Sequence, residues 1–150
     1  MSLARLIASG FGSGYAPKAP GTAGSLVAAV VGAALLWLSP WALLAAALLA
    51  SVGGIWAIRA AKVGNDPGWV VIDEFAGQWI ALLGLSSASP FGVALAFALF
   101  RLFDITKPGP VGWADRQHGP VAVMADDVIA GALAAALLLI AQIVRPGLLD

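Results

Sequence analysis

The stretch VVIDEFAGQWIALL, Val70 to Leu83, sets two adjacent acids, Asp73 and Glu74, directly ahead of an uncharged apolar run. In a soluble chain, acids in the first turn of a helix are an ordinary response to its dipole. Here the pair leads into a helix of membrane character, where an unpaired carboxylate costs at least about 2–3 kcal/mol. Hard divalent cations such as Mg2+ are held by a few carboxylate oxygens together with phosphate and water. Asp73 and Glu74 are therefore read as metal ligands. Gln78, four residues after Glu74 on the same helix face, is expected to orient it. Asp66, in Asn65-Asp66-Pro67-Gly68, is read as a turn residue.

Composition places this helix in a membrane. The chain has 150 residues, 61% hydrophobic and 11% charged, with a mean hydropathy of +0.94. A soluble domain carries about 25% charged residues. The length suits one domain, 1–150. A net charge of zero gives no reason to expect a nucleic-acid partner. The absence of cysteine excludes disulfides, thiolate metal sites and cysteine-nucleophile phosphatase chemistry. Met1 to Gly10 lacks the long apolar core of a signal peptide and reads as an amphipathic lead-in along the interface.

Five apolar segments follow: Ser25–Leu38, Trp41–Ile58, Phe75–Leu85, Phe91–Phe103 and Val128–Val144. Prolines at or just beyond their ends read as helix stops, and no period-2 alternation indicates strands. The expected fold is all-α, a membrane-embedded bundle of about five main helices. A crossing needs about 20 apolar residues. The shorter segments either borrow loop residues or fold inside the bundle. If all five cross, the polar stretches Gly10–Ser25, Ala61–Glu74 and Arg101–Asp127 fall on one side. These stretches and their edges hold seven of the eight acids and five of the eight bases. The positive-inside rule makes that side cytoplasmic.

In the first stretch, glycines and prolines allow close backbone approach to a ligand, and Thr22 and Ser25 stand where a helix begins. That end suits a phosphate; an ordinary N-cap is the competing reading. Lys18 is either a phosphate contact or a surface charge. In the third stretch, Arg101, Asp104 and Lys107 recur every three residues and line one helix face. They read as a metal-binding carboxylate between two phosphate-binding cations. Asp115 and Arg116 either contact the ligand or pair with each other. His118, the sole histidine, is an interfacial residue or a general acid. Asp126 and Asp127 read as one N-cap and one metal ligand, or as ligands to two metals.

Four stretches in order, GFGSGYAPKAPGTAGSL, VVIDEFAGQWIALL, FRLFDITKPGPVGWAD and DDVIAGALAA, resemble the phosphatidylglycerophosphatase A family of bacterial membrane lipid phosphatases. The resemblance covers most of the chain. It implies a multi-pass protein of the bacterial cytoplasmic membrane, with its active site facing the cytoplasm. It implies Mg2+-dependent hydrolysis of phosphatidylglycerophosphate to phosphatidylglycerol and phosphate. The catalytic positions carried over are Asp73, Glu74, Asp104 and Asp127, and the metal positions are Asp73, Glu74, Asp104, Asp126 and Asp127. Lys107 is carried over with them, beside Thr22, Ser25, Arg101 and Arg116 as candidate contacts to the substrate phosphate. A metal-activated water is the expected nucleophile; an aspartyl-phosphate intermediate is the alternative. Two other functions compete. One keeps the chemistry on a different lipid or polyprenyl phosphate. The other, an ion carrier or channel, expects carboxylates at mid-helix depth rather than at helix ends.

Overall fold

A computed structural model describes residues 1–64 and 66–150; Asn65, the first residue of the expected turn, lies outside the described residues. The architecture is all-helical, without strands among the described residues. In chain order the helices are α1 (Leu3–Ala8), α2 (Pro20–Leu38), α3 (Pro40–Ala60), α4 (Ile72–Leu82), α5 (Pro90–Thr106), α6 (Pro110–Asp115) and α7 (Pro120–Val144). The five apolar segments are α2, α3, α4, α5 and α7; the short α1 and α6 are additional.

Proline explains most of the shifted boundaries. Five helices carry it at their first positions, where its fixed φ suits the helix and its missing N–H costs nothing. The same prolines that stop one helix start the next. Thus α2 begins at Pro20 rather than Ser25, and α7 at Pro120 rather than Val128. Thr22 and Ser25 consequently lie inside α2, and Asp126 is not an N-cap but sits in the second turn of α7. Ser39 alone joins α2 to α3, and its side chain accepts from the Trp41 N–H at 3.1 Å.

Three helices, α2, α3 and α7, are long and apolar enough to cross a membrane. At 1.5 Å per residue they reach roughly 28–37 Å. Their outer faces expose Val30, Trp37, Leu49, Val52, Ile140 and Ile143, as lipid-facing surfaces do. By contrast α4, 11 residues long, reaches only about 16 Å and cannot span. Of its residues only Ile80 is not buried. It lies at the centre, packed by α2, α3, α5 and α7. A helix polar at its start and apolar thereafter can sit there only if neighbours meet its acids.

Small residues let those neighbours close in. Gly131 of α7 lies directly on the Gly77 backbone carbonyl of α4. Gly77 faces Phe100 and the Asp127 carbonyl, while Gly84 faces the Ala135 backbone. On the other side Gly32 receives Trp79 and Leu82, and the Trp79 Nε1–H donates to the Ala28 carbonyl at 2.8 Å. The small-residue spacings at Ala28–Gly32 and Gly131–Ala135 thus serve packing within one chain. The glycine-rich stretch also turns inward. Gly10 (φ +56°) packs on Phe75 and Val71, and Gly14 on the Trp69 carbonyl. The Val71 N–H donates to the Ala8 carbonyl at 2.9 Å. Gly10 and Gly14 thus bind the N-terminal segment to the loop ahead of α4.

The α4–α7 contact gives a direct test. A methyl group at Gly131 meets backbone, which cannot move aside, so Gly131→Ala should destabilise the protein by about 1–3 kcal/mol. A clear fall in the unfolding temperature in detergent is expected. Gly12→Ala, with open space around it but φ +96°, should cost only backbone strain. Equal temperatures for wild type and Gly131→Ala would contradict the packing.

Candidate active site

The first turn of α4, the last turn of α5 and the second turn of α7 point at one another. They enclose a cleft of about 180 Å3 lined by Pro20, Gly21, Asp66, Gly68, Val70, Asp73, Glu74, Asp104, Lys107, Asp126 and Asp127. Residues from all three polar stretches therefore meet in one place. The five carboxylates expected to hold metal are all present and all buried.

An alternating chain of charge runs along one wall. Arg101 Nη1 lies 2.7 Å from Glu74 Oε2 and 2.5 Å from Asp104 Oδ2. Lys107 Nζ lies 3.4 Å from Asp104 Oδ1, 2.6 Å from Asp126 Oδ2 and 3.2 Å from Asp115 Oδ1. The Ser25 hydroxyl, wholly buried, donates to Glu74 Oε2 at 2.5 Å. Thr22 Oγ1 accepts from Arg101 Nη2 at 3.3 Å. Ser25 and Thr22 thus hold the side chains that form the wall, and the part of α2 that lines the cleft is Pro20 and Gly21. At Gly21 a Cβ would meet Glu74 Oε1, so a larger residue there would displace the Glu74 carboxylate. Lys107 ends α5 in the left-handed region, φ +52°, which is uncommon for a side chain of its size.

Two buried carboxylates have little to balance them. Asp73 Oδ1 accepts the Glu74 backbone N–H at 3.0 Å and has no ion pair among the described residues. Asp127, 3% exposed, has neither ion pair nor side-chain hydrogen bond among the described residues. Asp104, Asp126 and Asp127 each place an oxygen within 4.8 Å of the others. Oxygens on opposite sides of one Mg2+ lie about 4.2 Å apart, so this trio fits a hard divalent cation with small side-chain rotations. Partial burial, and after it the charge of Asp126, raises the pKa of Asp66. Burial pulls Lys107 down, but its hydrogen bond to Asp126 and the charges of Asp126 and Asp104 more than offset that, and its pKa rises.

Some expectations land elsewhere. Gln78 is wholly buried, yet both ends of its amide lack a partner among the described residues, and the expected bond to Glu74 is not formed. Arg116 is exposed at the end of α6 and does not line the cleft; the Asp115 carboxylate pairs with Lys107 instead. His118 faces a separate, larger cavity. Asp66, read as a turn residue, lines the cleft. Nothing in its Asp-Pro-Gly context distinguishes a cleft carboxylate from a turn.

A family model described as Phosphatidylglycerophosphatase A matches residues 6–142. Among curated proteins, one from Bacteroides thetaiotaomicron, provisionally named a phosphatidylinositol-3-phosphatase, is 43% identical over 146 residues, covering 91% of this chain and 92% of its own. Phosphatidylglycerophosphatase A of Escherichia coli K12 is 40% identical over 138 residues, covering 89% and 80%. That of Haemophilus influenzae is 40% identical over 130 residues, covering 83% and 80%. No solved structure matches the chain.

The two hydroxyls on α2 should differ sharply in effect. A buried hydrogen bond to a charged group contributes about 1.5–3 kcal/mol, so Ser25→Ala should lower stability by that order. The bond from Arg101 Nη2 to Thr22 is long and exposed, and Thr22→Ala should cost less than about 0.5 kcal/mol. Unfolding in detergent measures both. Equal losses would contradict the placement of Ser25 beneath Glu74.

Proposed function

The chain belongs to the phosphatidylglycerophosphatase A family, and on that premise we propose that it hydrolyses the phosphomonoester of phosphatidylglycerophosphate, with Mg2+ as cofactor. The products are phosphatidylglycerol and inorganic phosphate. One observation carries the proposal: six carboxylates line the cleft, against two cations, Lys107 on its wall and Arg101 beside it. An anionic phosphate cannot enter a site with such an excess of negative charge unless a multivalent cation offsets it. Asp104, Asp126 and Asp127 are the residues that would hold that cation, with Asp73 and Glu74 alongside. When bound, it would neutralise phosphoryl charge and lower the pKa of a coordinated water.

The chain's own groups divide the remaining work. Lys107 and Arg101 already lie at carboxylate oxygens, and a phosphate oxygen presents the same geometry to them. Both stabilise charge spread over the transferring group. Asp73 lies outside the three-carboxylate cluster and lines the cleft; we assign it the proton of the attacking water. Water oxygen then bonds to phosphorus, the ester P–O bond breaks, and the leaving lipid alkoxide takes a proton from solvent, to which Asp73 returns the one it accepted. Glu74 is fixed by Arg101 and Ser25 and holds the wall in register. Attack by an aspartate instead of water is the competing route.

The apolar outer faces of α2, α3 and α7 support a multi-pass membrane protein. The charged end of the bundle would lie at headgroup level on the cytoplasmic side of the bacterial inner membrane. The name of the B. thetaiotaomicron relative supports a second reading, a phosphoinositide monoester as substrate.

Purified protein should release phosphate from phosphatidylglycerophosphate with Mg2+ and stop on chelation. Asp104→Asn should lower kcat by about 10^2-fold or more, the scale of losing one transition-state contact. Release that is unchanged by chelation or by Asp104→Asn would overturn the proposal. Faster turnover of a phosphoinositide monoester would favour the second reading.

A further inference from the structure

Beside the cleft lies a second cavity of about 420 Å3, within the roughly 300–1,000 Å3 of small-ligand pockets. It opens between the end of α3, the loop ahead of α4 and the turn from α6 into α7. Asp66, Val70 and Asp126 line both cavities, so these residues are shared walls and the two spaces adjoin. The cleft, at about 180 Å3, has room for a phosphate and its counter-ion but not for a whole lipid headgroup. The adjoining cavity offers the room that whatever carries the phosphate needs.

The lining says what that is. Asp66, Asp115, Gln117 and His118 offer hydrogen-bond acceptors, while Ile58 and Val123 give an apolar floor. No Lys or Arg lines this cavity among the described residues. A second phosphate would meet carboxylates there and be repelled. A neutral hydroxyl-bearing group, with one free hydroxyl in the glycerol of phosphatidylglycerophosphate and several in inositol, would donate to those carboxylates and lay its C–H faces on the valine and isoleucine.

We propose that this cavity is the subsite for the polyol that links the scissile phosphomonoester to the rest of the lipid. The inference rests on the phosphatase reading and deepens it. It also accounts for the two kinds of name among the relatives. Glycerol in phosphatidylglycerophosphate and inositol in a phosphoinositide are both neutral polyols bearing a phosphomonoester. The walls of this cavity select the polyol class, and its size admits either member.

The test fills the cavity and leaves the cleft alone. Gln117→Trp works from the exposed end of α6 and Val123→Phe from α7, so a folding defect in one leaves the other informative. Phosphate release from phosphatidylglycerophosphate in detergent micelles is measured for each, together with inhibition by inorganic phosphate, which needs only the cleft. Each variant should raise KM by roughly tenfold while the inhibition constant for inorganic phosphate stays within about twofold. An unchanged KM in both variants would overturn the subsite, as would equal weakening of substrate and inorganic phosphate. A wild-type protein that releases no phosphate from any lipid phosphomonoester would overturn the phosphatase reading itself.

Discussion

A carboxylate held away from water needs a positive partner, and this chain gathers more carboxylates at one point than it has cations to match. Five acids from α4, α5 and α7 are buried around a small cleft. Arg101 and Lys107 bridge some of them, in an alternating row that begins at Ser25. Asp73 and Asp127 remain outside that row. Removing one member of such a buried network leaves an uncompensated charge that costs about 3–5 kcal/mol. On the proposed reading, a further cation offsets the excess of carboxylates over Arg101 and Lys107. That cation would also make the site attractive to phosphate, so stability and chemistry would have one cause.

The rest of the bundle serves to hold that cleft in shape. The helix α4 is too short to cross a bilayer, and the spanning-length helices enclose it. Its acids face the cleft because glycines on α4 and α7 bring two backbones into contact at Gly77 and Gly131. That contact lies on the chain just below Glu74 and just after Asp127, so the closest packing in the core also fixes the carboxylates. On the opposite side, Gly21 admits Glu74, and Ser25 anchors it. Larger residues at Gly77 or Gly131 would push the walls apart, and one at Gly21 would meet the Glu74 carboxylate itself.

Much of this was legible before any coordinates. Helical segments, their membrane character and the grouping of acids with Arg101 and Lys107 all follow from hydrophobic runs broken by charge. The helix starts were not legible, because Pro20 and Pro120 lay in stretches read as polar loops, and only packing decides that they begin α2 and α7. The glycine-rich stretch was open for a related reason: glycine permits close approach, but that Gly10 and Gly14 approach Phe75 and Trp69 while Gly21 lines the cleft is a tertiary matter. Asp66 was hidden by its turn sequence. Gln78 shared a face with Glu74, as its spacing required, yet sharing a face did not yield a hydrogen bond. Arg116 sat near the right charges in sequence and ended outside the cleft.

The central claim is that carboxylates from α5 and α7 together make one divalent-cation site. Mn2+, which electron paramagnetic resonance reads directly, can be titrated into the purified protein in detergent without any substrate. Wild type should hold at least one ion per chain, with affinity falling by roughly tenfold or more in Asp127→Asn and in Asp104→Asn alike. Mn2+ binding absent from wild type, or indifferent to both substitutions, would contradict the account.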